Sequence, residues 1–463
     1  MQERYVATAD LGSSKIALSV SRITGDDIQV IYYKETPSDG VRYSCVFNPT
    51  RASEALRKAI DQAQKDLDIK IMQIVIGLPR YSVRQEVAPA AMERSNPGSC
   101  ITEEEVLAIK NMALDSYPLE DSSKEVIYGA VAQSFTADDM FQQSEEDVVG
   151  SPADTLEGNF KIFVGAKRAV NNIDIMLNSL GVASARKVFL PSAMAEAVLS
   201  DEEKDNGVAL IEQGAGVTSV SIYKGRILRY YGSIPFGAKN ITTDIKYECG
   251  FKEELAENIK LAFGACIPEK LQSMGDKILQ INDEETGTYE HLRVKYLSEI
   301  ITCREKEIIE SILFLIQESG YAERLRNGIV LTGGGANMAN LASLIKEMSG
   351  YNVRIGYPKT RHMSIEGCPG ITETSAVSTI AMILNSFKDE HLNCIEELHT
   401  GKEEQEPEPD VTGTVFEDNG KEQVKPAKTV SPKAASKFKI TWRKPKFIDT
   451  VEGAVGGLFD QME

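Results

Sequence analysis

The sequence predicts an α/β fold of two duplicated lobes, and three observations carry that expectation. The pattern acid, spacer, Gly occurs at Asp10-Leu11-Gly12-Ser13-Ser14-Lys15 and again at Glu212-Gln213-Gly214-Ala215-Gly216-Val217-Thr218. Each copy follows a β-prone run (residues 4–9 and 207–211) and precedes an alternation that reads as a second strand (16–20 and 220–223), so each is expected to be a tight hairpin. The third observation is Gly328-Ile-Val-Leu-Thr-Gly-Gly-Gly335, a hydrophobic strand running into a glycine loop, with a helical stretch over 337–348. Two facing hairpins offer glycine-lined backbone N–H groups and two carboxylates, a set suited to a phosphate chain and its Mg²⁺. Glycines without a Cβ let a flat ligand lie against backbone.

In this order the motifs resemble the actin, Hsp70 and sugar kinase superfamily. The resemblance implies an actin-like ATPase fold of two duplicated ribonuclease H-like domains with nucleotide between them. Residues 190–199 look like the first interdomain helix and 371–382 like the second; Ala256-Glu257-Asn258-Ile259-Lys260 followed by Gly264 resembles the helix that meets ribose and adenine. Within the superfamily the chain is similar to the FtsA family of bacterial cell-division proteins. Three features carry that likeness: residues 237–244 running on to 257–266, the stretch from Arg80 to Gly165 with Lys161-Ile-Phe-Val-Gly-Ala166 as a returning strand, and the C-terminal segment 446–460.

The resemblance implies the following organisation: residues 1–83 and 166–195 form the core of actin-like domain 1, and 84–165 an inserted FtsA-type subdomain 1C. Residues 196–388 form actin-like domain 2 with its own insert at about 265–326, 389–442 a disordered linker, and 443–463 an amphipathic membrane-targeting helix. Composition supports the last two. From 389 to 420 acids dominate against the single base Lys402, and from 421 to 446 lysines and arginines dominate against the single acid Glu422; such stretches bury too little apolar surface to fold. In the terminal segment Phe447, Ile448, Val451, Val455, Leu458, Phe459 and Met462 fall on one helical stripe, behind the basic cluster Arg443, Lys444 and Lys446. The stripe suits a lipid surface, and equally docking onto a partner or onto the chain's own folded body.

The resemblance also assigns roles. Asp10 is expected to hold Mg²⁺ through water, with Gly12, Ser13, Ser14 and Lys15 cradling the β- and γ-phosphates of ATP; Gly214, Ala215, Gly216 and Val217 form the opposing loop. Gly333, Gly334 and Gly335 border the adenosine, and Glu257 and Lys260 lie at the sugar and base. Asp10, Glu212 and Glu196 are the catalytic candidates, Glu196 as the group that orients the attacking water. The family's second phosphate loop begins with Asp where this chain has Glu212, and Gln213 replaces an aliphatic residue. A carboxylate displaced by one methylene disturbs water positioning, so any ATPase activity is expected to be slow. In the domain 2 insert, residues 290–297 alternate like an exposed strand, and Arg293, Lys295 and Arg304 are cations beside a groove for the tail of the tubulin-like protein FtsZ.

Net charge is −18, which argues against broad nucleic-acid binding. The seven cysteines show no C-x-x-C pair, which suits a reducing cytosol, and neither a signal peptide nor an 18-residue apolar run is present. The expected protein is therefore a peripheral one at the cytoplasmic face of the cell membrane at the division site. It binds ATP, anionic lipids, further copies of itself, other division proteins through subdomain 1C, and FtsZ. The alternatives are an actin-like pilus-assembly adaptor and a small-molecule kinase of the same superfamily.

Overall fold

The computed structural model describes residues 3–282 and 289–397. The expectations placed on 398–463, including the lipid-facing stripe and its basic cluster, lie outside the described residues. No described helix is long and apolar enough to cross a membrane.

Two sheets repeat one topology. In the first lobe Glu3–Leu11 pairs antiparallel with Lys15–Thr24, which pairs antiparallel with Asp27–Pro37. On its other side Glu3–Leu11 runs parallel to Gln73–Gly77, itself parallel to Ala183–Val188. The second lobe repeats this with Val208–Gln213, Thr218–Lys224 and Ile227–Ile234 antiparallel in sequence, and Ile329–Thr332 and Val353–Ile355 added in parallel. Both central strands are apolar on both faces, as strands covered on two sides must be: Val6, Ala7, Ala9, Val208, Ala209 and Leu210 are all buried. The fold is thus α/β and actin-like, as the hairpin repeat predicts.

Helix Pro49–Leu67 covers the first sheet. Its entry is set by the Asn48 side chain, which accepts from the Arg51 N–H at 3.1 Å, and by Pro49 at a position with no N–H to lose. Helices Leu190–Val198 and Val377–Phe387 pack on each other, and both contribute to the first lobe's core through Ala193, Met194, Ile380 and Met382. A four-stranded antiparallel sheet interrupts the first lobe, in the order Met140–Gln143, Glu125–Ala137, Thr155–Ala166, Arg84–Glu93. It has its own core, where Phe135 meets Phe160 edge-to-face at 5.8 Å beneath helix Glu103–Ser116. That helix begins with a capping box between Thr102 and Glu105.

The structure corrects three expectations. The second lobe does not run to residue 388: Met363–Ile365 pairs with Asp27–Pro37, and helix Val377–Phe387 buries Val377, Ile380 and Ile383 in the first lobe. The linker does not begin at 389. Asp389 pairs with Arg186 at 2.6 Å, Leu392, Cys394 and Ile395 are buried, and Ile395–Glu397 adds antiparallel to Ile69–Ile71. Three apolar residues within an acidic stretch are enough to hold it against the sheet edge. Finally, the strand expected over 290–297 ends at Arg293, and Val294–Glu318 is one helix of 25 residues. Val294, Leu297, Ser298 and Ile301 are buried at i, i+3, i+4 and i+7, and that spacing overrides the short alternation before it.

Candidate functional site: the interlobe cleft

Asp10 is the penultimate residue of the first strand of its hairpin, and the turn beyond is closed by Gly12 N–H donating to Lys15 O at 3.0 Å. A Cβ on Gly12 would lie 2.6 Å from that same carbonyl oxygen, so only glycine fits. The second tip is built alike, with Gly214 N–H donating to Val217 O at 2.8 Å. Its carbonyls are held by the start of helix Ala238–Cys249, where Ala238 and Lys239 N–H groups donate to Gly214 O (3.0 Å) and Ala215 O (2.8 Å). The tips meet: a Cβ on Gly216 would come within 3.0 Å of Ser13 Oγ, which itself accepts from the Ser44 N–H at 3.2 Å.

Between the tips lies Arg80, which sequence reasoning missed. One Nη donates to Asp10 Oδ1 at 2.7 Å and the other to Glu212 Oε1, so a single guanidinium joins the acids of both hairpins. Glu212 Oε2 also accepts from Ser219 Oγ at 3.3 Å. Arg80 and Glu212 are 7% and 5% exposed, so this is a buried ion pair rather than a surface one. Burial works against the charge of Arg80, but Glu212 and Asp10 outweigh it and keep the guanidinium protonated. Burial pushes the Glu212 carboxyl up, and Arg80 opposes that push. A signal was available: Gln73–Gly77 lies parallel to Glu3–Leu11 with Ala9 opposite Ile76, so the chain leaving it emerges beside Asp10. Ligands of open α/β sheets are met at that carboxyl end.

The other expected residues fall into two groups. Lys15 Nζ is ion-paired with Glu35 and donates to Ser375 Oγ at 3.0 Å. Glu257 and Lys260 are joined at 2.8 Å, and Lys260 also donates to Ala238 O at 3.0 Å, directly behind the second tip. Gly333 (φ +90°) and Gly335 press on Gln213, where added Cβ atoms would fall within 2.5 and 2.6 Å of it, whereas at Gly334 the nearest neighbour would be Ser375 Cβ at 3.8 Å. Gly334 is therefore the member of the loop open to a ligand. Gln213 in turn donates from Nε2 to both carboxylate oxygens of buried Glu305, each at 2.9 Å. Glu196 is exposed and pairs with Lys204 at 3.1 Å.

Away from the cleft, Arg293 and Lys295 are exposed. Arg304 is held by both oxygens of Asp244 at 2.6 and 2.9 Å. We expect Arg304→Glu to place two acids in contact and to lower stability by about 1 kcal/mol, the scale of a partly exposed pair. Denaturant melts of the purified chain check this, and an unchanged midpoint overturns it.

No group of three or more His, Cys, Asp or Glu side chains could hold a metal among the described residues. The carboxylates of Asp10 and Glu212 are hard oxygen donors of the kind Mg²⁺ prefers, and that ion normally keeps several waters. Both acids are engaged by Arg80.

Two repeated sheets with glycine-tipped hairpins meeting between them define an actin-like protein. The solved structure of a PilM–PilN type IV pilus biogenesis complex shares this fold, with a TM-score of 0.56 at 14% identity over 82% of this chain and 98% of that one. The family described as "Cell division protein FtsA" matches residues 209–379. Relatives of that name include one from Neisseria meningitidis serogroup B, 28% identical over 77% of this chain and 85% of the relative. Another, from Streptococcus pneumoniae, is 25% identical over 99% of this chain and 100% of the relative. A third, from Escherichia coli, is 24% identical over 84% and 92%. Over these stretches the chain is similar to the FtsA family of cell-division proteins.

Proposed function

We propose that this chain is an ATP-binding, filament-forming protein of the cytoplasmic membrane face that tethers FtsZ filaments to the division site. The observation that carries the reading is the meeting of the two acid-bearing glycine hairpins, since a phosphate chain laid between them touches both lobes at once. Gly12, Ser13, Ser14 and Lys15 face Gly214, Ala215, Gly216 and Val217 across the phosphates; Glu257 and Lys260 lie at the sugar and base, and Gly334 against the adenosine. Mg²⁺, when bound, neutralises phosphate charge and is held through water by Asp10. Glu212, engaged by Arg80 and Ser219, is poorly placed to activate water, so turnover is slow. Membrane contact falls to residues 443–463, contacts with other division proteins to 84–165, and capture of the acidic FtsZ tail to Arg293 and Lys295, with Arg304 committed to Asp244.

The test is co-sedimentation of FtsZ with anionic liposomes, Mg²⁺ and ATP. FtsZ is expected in the liposome pellet when the full-length chain is present and in the supernatant when it is omitted. Equal FtsZ in both pellets overturns the tethering role.

A further inference from the structure

We propose that Arg80 is a resident cation of the cleft, a clamp between the lobes that competes with metal-bound nucleotide for Asp10 and Glu212. The inference rests on the nucleotide site proposed above and deepens it.

Asp10 belongs to the first hairpin and Glu212 to the second, so whatever binds both acids holds the two lobes together. In this chain that job is done by a side chain. The arrangement is built rather than incidental, because the backbone of Arg80 is fixed across the same gap: its carbonyl accepts from the Tyr231 hydroxyl, and the Tyr231 N–H donates to Gln85 Oε1 at 3.2 Å. Charge and space then set up an exchange. One guanidinium against two carboxylates leaves the cluster with a single net negative charge, and all three groups are largely buried. A divalent ion that carries phosphates needs the same carboxylate oxygens, directly or through water. It can settle only when the guanidinium releases at least one of them, since two cations side by side in a buried site repel.

The clamp is also incompletely satisfied. Arg80 Nε is buried with no hydrogen-bond partner among the described residues. An unmet buried donor is a standing penalty on the clamped state, and it keeps the exchange reversible. While Arg80 spans both acids the protein itself links the two lobes, and nucleotide affinity is set by how readily Arg80 lets go.

The test uses the full-length chain, wild type and Arg80→Gln, with two readouts. The first is the thermal midpoint of the nucleotide-free protein with and without millimolar MgCl₂. The second is the affinity of a fluorescent ATP analogue in the presence of Mg²⁺. Wild type is expected to melt at the same temperature with or without Mg²⁺. Arg80→Gln should melt lower, recover when Mg²⁺ alone takes the cation's place, and bind the analogue about tenfold more tightly or better. Failure of Mg²⁺ to raise the variant's midpoint overturns the clamp, and so does weaker analogue binding, which would make Arg80 a ligand of the nucleotide. If neither protein binds the analogue, the nucleotide site has failed, and recovery by Mg²⁺ alone still decides the clamp. Should Arg80→Gln not fold, Arg80→Lys, whose ammonium can serve one carboxylate at a time, is expected to show the same two changes in smaller measure. No change in either readout overturns the proposal.

Discussion

Removal of residues 443–463 is expected to abolish binding to anionic liposomes while leaving the melting curve of the body unchanged, and Phe459→Glu alone is expected to do nearly the same. The segment's two Phe and the aliphatic residues Ile448, Val451, Val455 and Leu458 are spaced in the sequence as one stripe would be if the segment were helical. Burying such side chains contributes up to about 1.5–3 kcal/mol each. Against this stand Gly453, Gly456 and Gly457, each about 1 kcal/mol worse than Ala in a helix, and the ordering of a short segment that is marginal alone in water. Arg443, Lys444 and Lys446 add about 1 kcal/mol each on an anionic surface. The balance predicts a reversible anchor, one that an array of copies would strengthen by avidity. A carboxylate within the buried stripe costs about 2–3 kcal/mol, enough to tip a marginal anchor off the surface. Sedimentation with vesicles of anionic phospholipid measures the effect, and undiminished binding of the Phe459→Glu chain removes this segment as the anchor.

What could be read from the chain was what is local. Each hairpin writes its strands, turn glycine and acid within about twenty residues, so the duplicated topology follows from two short patterns. The glycine loop after Ile329–Thr332 is legible for the same reason. Arg80 is not, because a lone arginine after Leu-Pro has no pattern of its own; its role appears only once Gln73–Gly77 is set beside Glu3–Leu11. Gln213 was visible as a departure from the family, but its reason lies in Glu305, 92 residues further on. The acidic run after Lys388 hid Leu392, Cys394 and Ile395, whose burial is decided by a strand more than 300 residues earlier. In each case the missing information was a long-range pairing, and composition could not supply it.

That distant partner of Gln213 carries the second large effect. Glu305 is fully buried in the second lobe, and burial pushes its carboxyl up to about 7, against the opposing pull of the Gln213 amide and of Lys260. In the unfolded chain a glutamate titrates near pH 4.3. Between these values the folded chain keeps a proton that the unfolded chain has lost, so this site's contribution is fully present below about pH 4.3 and is lost as pH rises through about 7, at up to about 1.4 kcal/mol per pH unit. Glu305→Gln has nearly the shape of the protonated acid and does not titrate, and like that acid it leaves one oxygen to accept from Gln213. It is expected to be more stable than wild type by about 3–4 kcal/mol at pH 8, with the gap closing as pH falls toward 4.5. Urea melts of both proteins from pH 4.5 to 8 decide it: two curves that stay parallel across that range would show that Glu305 is already ionised, and that the amide of Gln213 alone offsets its burial.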